Sequence, residues 1–294
     1  MNSKTKRMDI ITNESAQIAI NNRSLANVRN RTKIIVPRDI RPVEITVFND
    51  SIRKNITIDS KSSFAYWFNI YANVGLGMLY DKDKAKRYSY PNRVYIDTRN
   101  NDNNYTSYYP FFKKGDLLLH VSLPHINSFY LKPIDEDSAK SNTGFWGAKI
   151  GLDYFHHNRQ FLNLSVSAVS DFFVPVPAAV DISGEYDLMS STYLSISNNH
   201  KIKRFSAGYG LSFSKNTWDH RYYDRFGPPP PKRDPIKKTD YSFGLIFPFY
   251  SQFGDYFSLG LIYRPSILKV HPETYFKYEH LISIDFAWKL FLIK

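Results

Sequence analysis

The chain of 294 residues contains no cysteine, which excludes a disulfide framework, a thiol nucleophile and a cysteine-ligated zinc site. It also lacks any run of about 20 apolar residues, the length that a transmembrane helix requires. The N-terminal segment MNSKTKRMDI is basic and has no apolar core of the kind found in signal peptides. If the protein is exported, we therefore expect a signal peptide to be encoded upstream of Met1.

Motifs for nucleic acids, nucleotides and metals are also missing. Lys and Arg exceed Asp and Glu by 39 to 27, giving a net charge of +12, but the cations are scattered and form no nucleic-acid-binding motif. Gly75 and Gly77 lack the third glycine and the preceding strand of a nucleotide fingerprint. His156 and His157 have no carboxylate at ligand spacing. We predict no nucleic-acid partner, no cofactor and no metal site.

Aromatic residues are abundant instead. They make up 16% of the chain, with 22 Tyr and 22 Phe. The last stretch, Phe276 to Leu292, alternates between two faces for about 17 residues, whereas ordinary strands have about 5–6. One face is bulky and apolar, and the other carries polar and small side chains. This pattern is typical of a strand that crosses an outer membrane.

Seven further stretches have the same pattern, so we predict eight long strands, each long enough to cross a tilted path through a bilayer. The predicted strands are Leu117–Leu131, Phe145–Phe155, Phe161–Phe172, Gly184–Ser197, Lys203–Trp218, Thr239–Tyr250, Tyr256–Leu268 and Tyr275–Leu292. The connections alternate between long, such as Asp219–Lys238, and short, such as Asn198–Ile202. Outer-membrane barrels have long outside loops and short periplasmic turns.

Side-chain size predicts which face points inwards. An eight-stranded barrel has room inside for little more than its own side chains, so Gly and Ser fit there and stacked Phe and Tyr do not. A soluble barrel would also cover its outer face with Lys and Glu. We therefore expect the bulky face to contact lipid. The predicted lipid-facing residues include Phe243, Leu245, Leu261, Tyr263, Ile284, Phe286 and Trp288.

With these strands, residues 113–294 resemble the small, eight-stranded outer-membrane β-barrel family of Gram-negative bacteria. The resemblance implies an antiparallel transmembrane β-barrel with lipid bilayer and lipopolysaccharide as partners. Because the strand count is even, both ends of the barrel would face the periplasm. This arrangement would place residues 1–112 in the periplasm as a separate module.

Residues 1–112 are predicted to form a small all-β module that resembles a β-sandwich. Short strands are expected at Ala16–Ile20, Thr32–Val36, Pro42–Phe48 and Asn55–Ile58. The pattern from Ser15 to Asn22, followed by Val43 to Val47, resembles the PEGA-type β-domain of bacterial surface lipoproteins. The apolar segment 64–80 is interpreted as a helix, buried or interfacial, that packs on the module, with insertion into a membrane leaflet as the alternative. Asn100 to Ser107 is predicted to be a linker.

The polar face of the predicted barrel contains several charged residues. Because buried charges must be paired, we expect an internal salt-bridge network rather than an ion path. The predicted network consists of Lys149, Asp153, Glu185, Asp187, Arg264, Lys277, Glu279, Asp285 and Lys289. His280 and Ser266 lie near one another but on opposite faces, so they do not form a catalytic pair, and we predict no catalytic residues.

The leading hypothesis is therefore an outer-membrane barrel with a structural, accessory or adhesion-type role in the cell envelope and no catalytic activity. Its N-terminal module would contact other envelope proteins. A lipid-modifying outer-membrane enzyme that alters the acyl chains of lipid A is an alternative, and a soluble all-β binding protein is another.

Overall fold

The computed structural model describes residues 4–20, 23–28, 31–48, 53–73, 76–99, 102–136, 138–172, 184–223 and 234–294. The chain divides into two compact units, residues 1–111 and residues 112–294. Strands dominate both units, which confirms the predicted all-β class.

Unit 1 is built from short strands in two principal sheets. The strands are β1 Thr5–Thr12, β2 Ala16–Ile20, β3 Arg23–Val28, β4 Arg31–Pro37, β5 Val43–Phe48, β6 Arg53–Ile58, β7 Lys61–Ser62, β8 Tyr88–Ser89 and β9 Arg93–Ile96. One sheet has the order β4-β1-β9, with β1 and β9 parallel, and the other has the order β3-β2-β5-β6. The β7 and β8 strands form a small separate pair.

The two principal sheets of unit 1 share one aliphatic core. Alternate residues point into it from both sheets, for example Met8 and Ile10 of β1 and Ile45 and Val47 of β5. β-Branched side chains at every second position suit such a half-buried strand. Tyr105 packs against this core and Thr106 pairs with Tyr95, so the segment predicted to be a linker is partly structured; residues 100–101 lie outside the described part, as do Asn21 and Asn22 of the PEGA-like pattern.

The apolar segment forms two helices, α1 Phe64–Asn73 and α2 Leu76–Asp81. Ser63 caps α1, because its Oγ accepts a hydrogen bond from the backbone N–H of Tyr66 at 3.2 Å. Among the described side chains of both helices, only that of Tyr66 is buried. Most of the described side chains of segment 64–80 are exposed, so the predicted burial against the module is wrong for them. No helix in the described parts of the chain is long and apolar enough to cross a membrane.

Unit 2 is formed by long antiparallel strands. They are β10 Leu117–Leu131, β11 Lys140–Gly144, β12 Trp146–His157, β13 Gln160–Ser170, β14 Gly184–Ile202, β15 Phe205–Tyr223, β16 Ile236–Phe253, β17 Phe257–His271 and β18 Tyr275–Ile293. Each long strand pairs with the next along the chain, and β18 pairs with β10 from Leu117 to Tyr130. The sheet therefore closes into a ring, here called the strand ring. β11 extends the pairing of β10 beyond the end of β12.

The bounds of Leu117–Leu131 match the prediction, but several others do not. β14 continues to Ile202 and β15 begins at Phe205. The predicted turn Asn198–Ile202 is therefore wrong, and the chain reverses at Lys203 and Arg204. Lys203 has a φ of 54°, as tight reversals often require. β11 lies within a stretch that was predicted to be a long loop. Most of the other long loops, residues 173–183 and 224–233, lie outside the described residues.

The two faces of the strand ring differ in polarity as the alternation predicts. In β15, Ser206, Ser212 and Ser214 are buried inside, whereas Phe205 and Leu211 are exposed outside. The interior also holds aromatic rings, which the sequence interpretation did not expect. They fit because small residues oppose them: a Cβ on Gly260 would lie 2.3 Å from the ring of Tyr250, its partner in the neighbouring strand.

Candidate functional site

The interior of the strand ring contains a buried polar group at the end where the short turns lie, here called the turn-end cluster. Its members are His120, Lys149, Asp153, Asp285 and Lys289. Lys289 Nζ donates to Asp153 Oδ2 at 2.6 Å, and His120 Nδ1 lies 3.4 Å from Asp153 Oδ1. Two ammonium groups and two carboxylates make the cluster neutral apart from the imidazole.

Two neutral side chains complete the turn-end cluster. Tyr250 donates its hydroxyl hydrogen to Asp285 Oδ2 at 2.6 Å and accepts from Lys149 Nζ at 3.1 Å. Asn163 donates to Asp153 Oδ1 at 2.6 Å. Each carboxylate therefore has a donor that helps to offset its loss of hydration.

A second group, here called the loop-end cluster, occupies the opposite end of the interior. Lys269 Nζ lies 2.7 Å from Asp240 Oδ2 and 2.7 Å from Glu279 Oε1. Asn216 donates to Glu279 Oε2 at 3.1 Å. Arg264 is the second cation of this cluster, and its Nη2 donates to Ser191 Oγ at 2.7 Å. Like the turn-end cluster, the loop-end cluster contains two cations and two carboxylates.

Apolar and aromatic side chains fill the interior between the clusters. The Arg264 guanidinium lies 4.5 Å from the centroid of the Tyr193 ring, and Phe129, Ile262 and Leu281 are buried beside them. Stacking a cation on an aromatic face compensates part of the cost of burying it. The described side chains thus pack the interior as a plug and do not line it as a channel.

The residues predicted to form the internal charge network fall into two groups. Lys149, Asp153, Arg264, Glu279 and Asp285 are buried inside the ring. The others are at least partly exposed: Lys277 is partly buried, Lys289 is partly exposed while bonded to Asp153, and Glu185 and Asp187 lie near His220 close to the strand ends.

Three buried members, His120, Asp240 and Lys269, were missing from the predicted network. His120 and Asp240 lie on the inner faces of predicted strands, two residues from a buried serine (Ser122 and Ser242), which is the signal that would have found them. Lys269 lies one residue beyond the predicted end of its strand, so an error in the strand bounds concealed it.

Side chains predicted to contact lipid point outwards from the ring. Phe243, Leu261 and Trp288 are exposed, and Leu245, Tyr263, Ile284 and Phe286 are partly exposed beside neighbouring rings and aliphatic groups. Further exposed apolar side chains on the same face are Ile150, Leu152, Leu164, Val166, Leu194, Ile196, Leu211 and Phe249. A contiguous apolar surface of this kind is rare on soluble proteins.

Polar contacts order the strand ends at the loop side. His220 Nδ1 lies 2.7 Å from Asp187 Oδ1, and Asp171 Oδ2 accepts from Asn142 Nδ2 at 2.6 Å. Lys238 Nζ lies 3.1 Å from Glu136 Oε1. These contacts join β14 to β15, β11 to the segment after β13, and β16 to the segment after β10. The described part of this end therefore forms an ordered polar rim.

Catalytic geometry is not assembled in the described residues. Ser266 pairs with Glu279 and is buried inside, whereas His280 pairs with Pro265 on the outer face, so the two stay apart as predicted. The His120–Asp153 pair has the arrangement of a base and its orienting carboxylate. However, no described group is hydrogen-bonded to His120 Nε2, so a nucleophile is missing from that position.

No protein-family model and no curated protein matches the chain. Two solved structures with similarity are Ail, the attachment invasion locus protein of Yersinia pestis, and Neisserial surface protein A. The first has 9% identity and a TM-score of 0.40, covering 60% of this chain and 99% of Ail. The second has 11% identity and a TM-score of 0.35, covering 59% and 96%. Ail in complex with the heparin analogue sucrose octasulfate has 10% identity and a TM-score of 0.35, with coverage of 60% and 99%.

Proposed function

We propose that this chain is an eight-stranded outer-membrane β-barrel protein of a Gram-negative bacterium, with a structural, accessory or adhesion-type role and no catalytic activity. The observation that carries the proposal is the polarity of the strand ring. Its outer face is apolar and its inner face holds buried charges, which is the reverse of a water-soluble protein. Lipid is the solvent that favours this arrangement.

Strand length and closure support the same proposal. The eight strands of the ring have between 11 and 19 residues, and about 9–11 residues cross a bilayer when tilted. A backbone in lipid must satisfy its hydrogen bonds internally, and a ring without free edges does so. Each buried carboxylate inside accepts a hydrogen bond, and the Arg264 guanidinium stacks on the Tyr193 ring. A structural plug therefore explains these charges without an ion path.

The role follows from what such a barrel presents on each side of the membrane. An even number of strands puts unit 1 and the C-terminus on one side, which we assign to the periplasm, where the PEGA-like module contacts other envelope proteins. The loop end then faces outwards with its polar rim. Its partners are the bilayer lipids, lipopolysaccharide and whatever surface the cell adheres to.

Cysteine labelling on intact cells tests this orientation. The wild-type chain has no cysteine, and Ser138→Cys introduces an exposed thiol beside the polar rim. We expect it to react with a membrane-impermeant maleimide on intact cells. The matched variant Arg159→Cys, in the turn between β12 and β13, should react only after the outer membrane is permeabilised. Arg225, in the predicted long loop Asp219–Lys238, would serve the same purpose as Ser138 but lies outside the described residues.

Two outcomes would overturn the proposal, and a third would reverse its orientation. Recovery of the protein in the soluble fraction without detergent would favour a soluble binding protein. A change in the acyl chains of lipid A when the protein is expressed, measured by mass spectrometry, would favour a lipid-modifying enzyme. The opposite labelling pattern would reverse the barrel and put unit 1 on the cell surface.

A further inference from the structure

The surface of unit 1 has one region that its sheets do not explain. Eight large hydrophobic side chains are exposed in the described part of this unit. Six of them lie on the two helices, and their exposed fractions range from 51% to 82%. They are Phe64, Trp67, Phe68, Leu76, Leu79 and Tyr80. We call this set the helix patch.

The base of the helix patch is fastened to unit 1. Ser63 caps α1, and its backbone N–H donates to the carbonyl of Arg87 at 2.7 Å. The Arg87 guanidinium lies 4.8 Å from the centroid of the buried Tyr66 ring. The helices α1 and α2 contact each other. This ordered support keeps apolar side chains exposed to water. A binding partner that covered them would remove the unfavourable free energy of that exposure.

Basic residues border the helix patch. Residues 81–87 contain Lys82, Lys84, Lys86 and Arg87 against Asp81 and Asp83, which leaves two excess positive charges. Lys84 Nζ lies 2.7 Å from the centroid of the Tyr80 ring, so a cation and an exposed aromatic ring of the patch are adjacent. Residues 1–112 as a whole contain 18 Lys and Arg and 10 Asp and Glu, for a net charge of +8.

We propose that the helix patch docks on the surface of a bilayer that contains anionic lipid. Exposed Trp, Tyr and Phe beside Lys and Arg characterise segments that lie in the headgroup region. The aromatic and aliphatic side chains enter the boundary between headgroups and acyl chains, and the cations face lipid phosphates. With 10 and 6 residues, neither helix is long enough to cross. Charge complementarity favours anionic lipid over a second copy of this basic unit.

The covalent connection to unit 2 strengthens this docking. If the strand ring is inserted in a membrane, the helix patch is held close to that membrane and needs little affinity of its own. This tethering effect rests on the proposed function, whereas the chemistry of the patch does not. The quenching experiment separates the two.

Depth-dependent quenching measures the docking directly. Ala65→Cys places a thiol at an exposed position of α1 without removing an aromatic ring of the patch. The full chain, labelled there with an environment-sensitive fluorophore, is reconstituted in vesicles of phosphatidylcholine with or without phosphatidylglycerol. We expect nitroxide lipids labelled high on the acyl chain to quench this probe when phosphatidylglycerol is present. Lipids labelled near the bilayer centre should quench it less.

Matched variants identify the cause of any quenching. Ile35→Cys, an exposed apolar position on β4 of the same unit, should not be quenched. Replacing Lys82, Lys84 and Lys86 by Gln should weaken the binding of the helix patch to phosphatidylglycerol vesicles by roughly fivefold for each charge removed. Trp67→Gln with Phe68→Gln should abolish quenching at residue 65 even in anionic vesicles.

Each alternative occupant produces a different result. A blue-shifted probe at residue 65 without quenching by nitroxide lipid would show a protein interface and overturn the inference, as would equal quenching at residue 35. A probe at Leu261→Cys reports insertion of the strand ring. Quenching at 261 but not at 65 would reject the docking and retain the barrel. Quenching at 65 but not at 261 would retain the docking and reject the barrel.

Discussion

The two units use the same alternation with opposite polarity. In β5 of unit 1, Ile45 is fully buried and its neighbour Glu44 is exposed. In β17 of unit 2, Leu261 is 46% exposed and Ser258 is buried inside the ring. An alternating pattern therefore identifies a strand in both units but does not say which of its faces is interior.

The difference follows from what each interior can hold. Unit 1 joins two sheets across an aliphatic core, and burying apolar surface there stabilises it by about 25 cal/mol for each Å². The strand ring encloses a narrow space in which Ser, Gly and buried charged side chains alternate with a few aromatic rings. Its bulky side chains then remain outside, where lipid substitutes for a protein core.

Breaking an ion pair inside the ring should reduce the stability of unit 2 more than the other substitutions considered. Lys269→Met leaves Asp240 and Glu279 facing each other without their shared ammonium group. We expect a loss of about 3–5 kcal/mol in the free energy of unfolding. Urea unfolding of the protein in lipid vesicles, followed by tryptophan fluorescence, measures it.

The matched control is Lys277→Met, which removes a partly buried lysine of β18 and should cost under about 1 kcal/mol. Adding Asp240→Asn and Glu279→Gln to Lys269→Met should recover part of the loss, since no uncompensated charge is then buried. Equal losses for both lysines would contradict the plug interpretation.

Alanine substitutions test the inverted polarity itself. Ile45→Ala should destabilise unit 1 by about 2–5 kcal/mol, because a packed core leaves a cavity. Leu261→Ala should cost much less, because lipid closes around the smaller side chain. Hydrogen exchange of the amides of β5 reports the first change, and urea unfolding in vesicles reports the second. A similarly costly Leu261→Ala would place that side chain in a protein core and remove the basis of the membrane assignment.

A cation on the outer face tests whether depth in a membrane sets the cost of a substitution. Leu261→Arg should cost about 2–4 kcal/mol if residue 261 lies near the bilayer midplane. Leu292→Arg, close to the end of β18, should cost about 0–1 kcal/mol because the charge reaches the interface. Ser212→Arg should instead overfill the interior and depend little on lipid thickness. If the two outer positions cost the same in vesicles, depth in a membrane does not determine the penalty.

Much of the strand arrangement was predictable because the alternation of bulky and small side chains along the chain indicates each strand. Leu117–Leu131 has the predicted bounds, and the small face of β15 is interior as expected. Strand ends were predicted less well: β14 continues through Asn199, which is buried, where a turn was expected. Hydrogen-bonded pairing with a neighbouring strand extends these ends, and that pairing depends on residues elsewhere in the chain. β1, β3 and β11 were missed for the same reason.

The strand period, the all-β class and the division of each long strand into a bulky and a small face follow from local sequence, because each depends on residues that are close in the chain. The tertiary structure alone decided which charges meet. His120 reaches Asp153, and Lys289 reaches the same carboxylate, only because the ring closes with a specific register between β10, β12 and β18. It also decided that Phe64, Trp67, Phe68 and Tyr80 remain exposed, because the core of unit 1 is already filled by its two sheets.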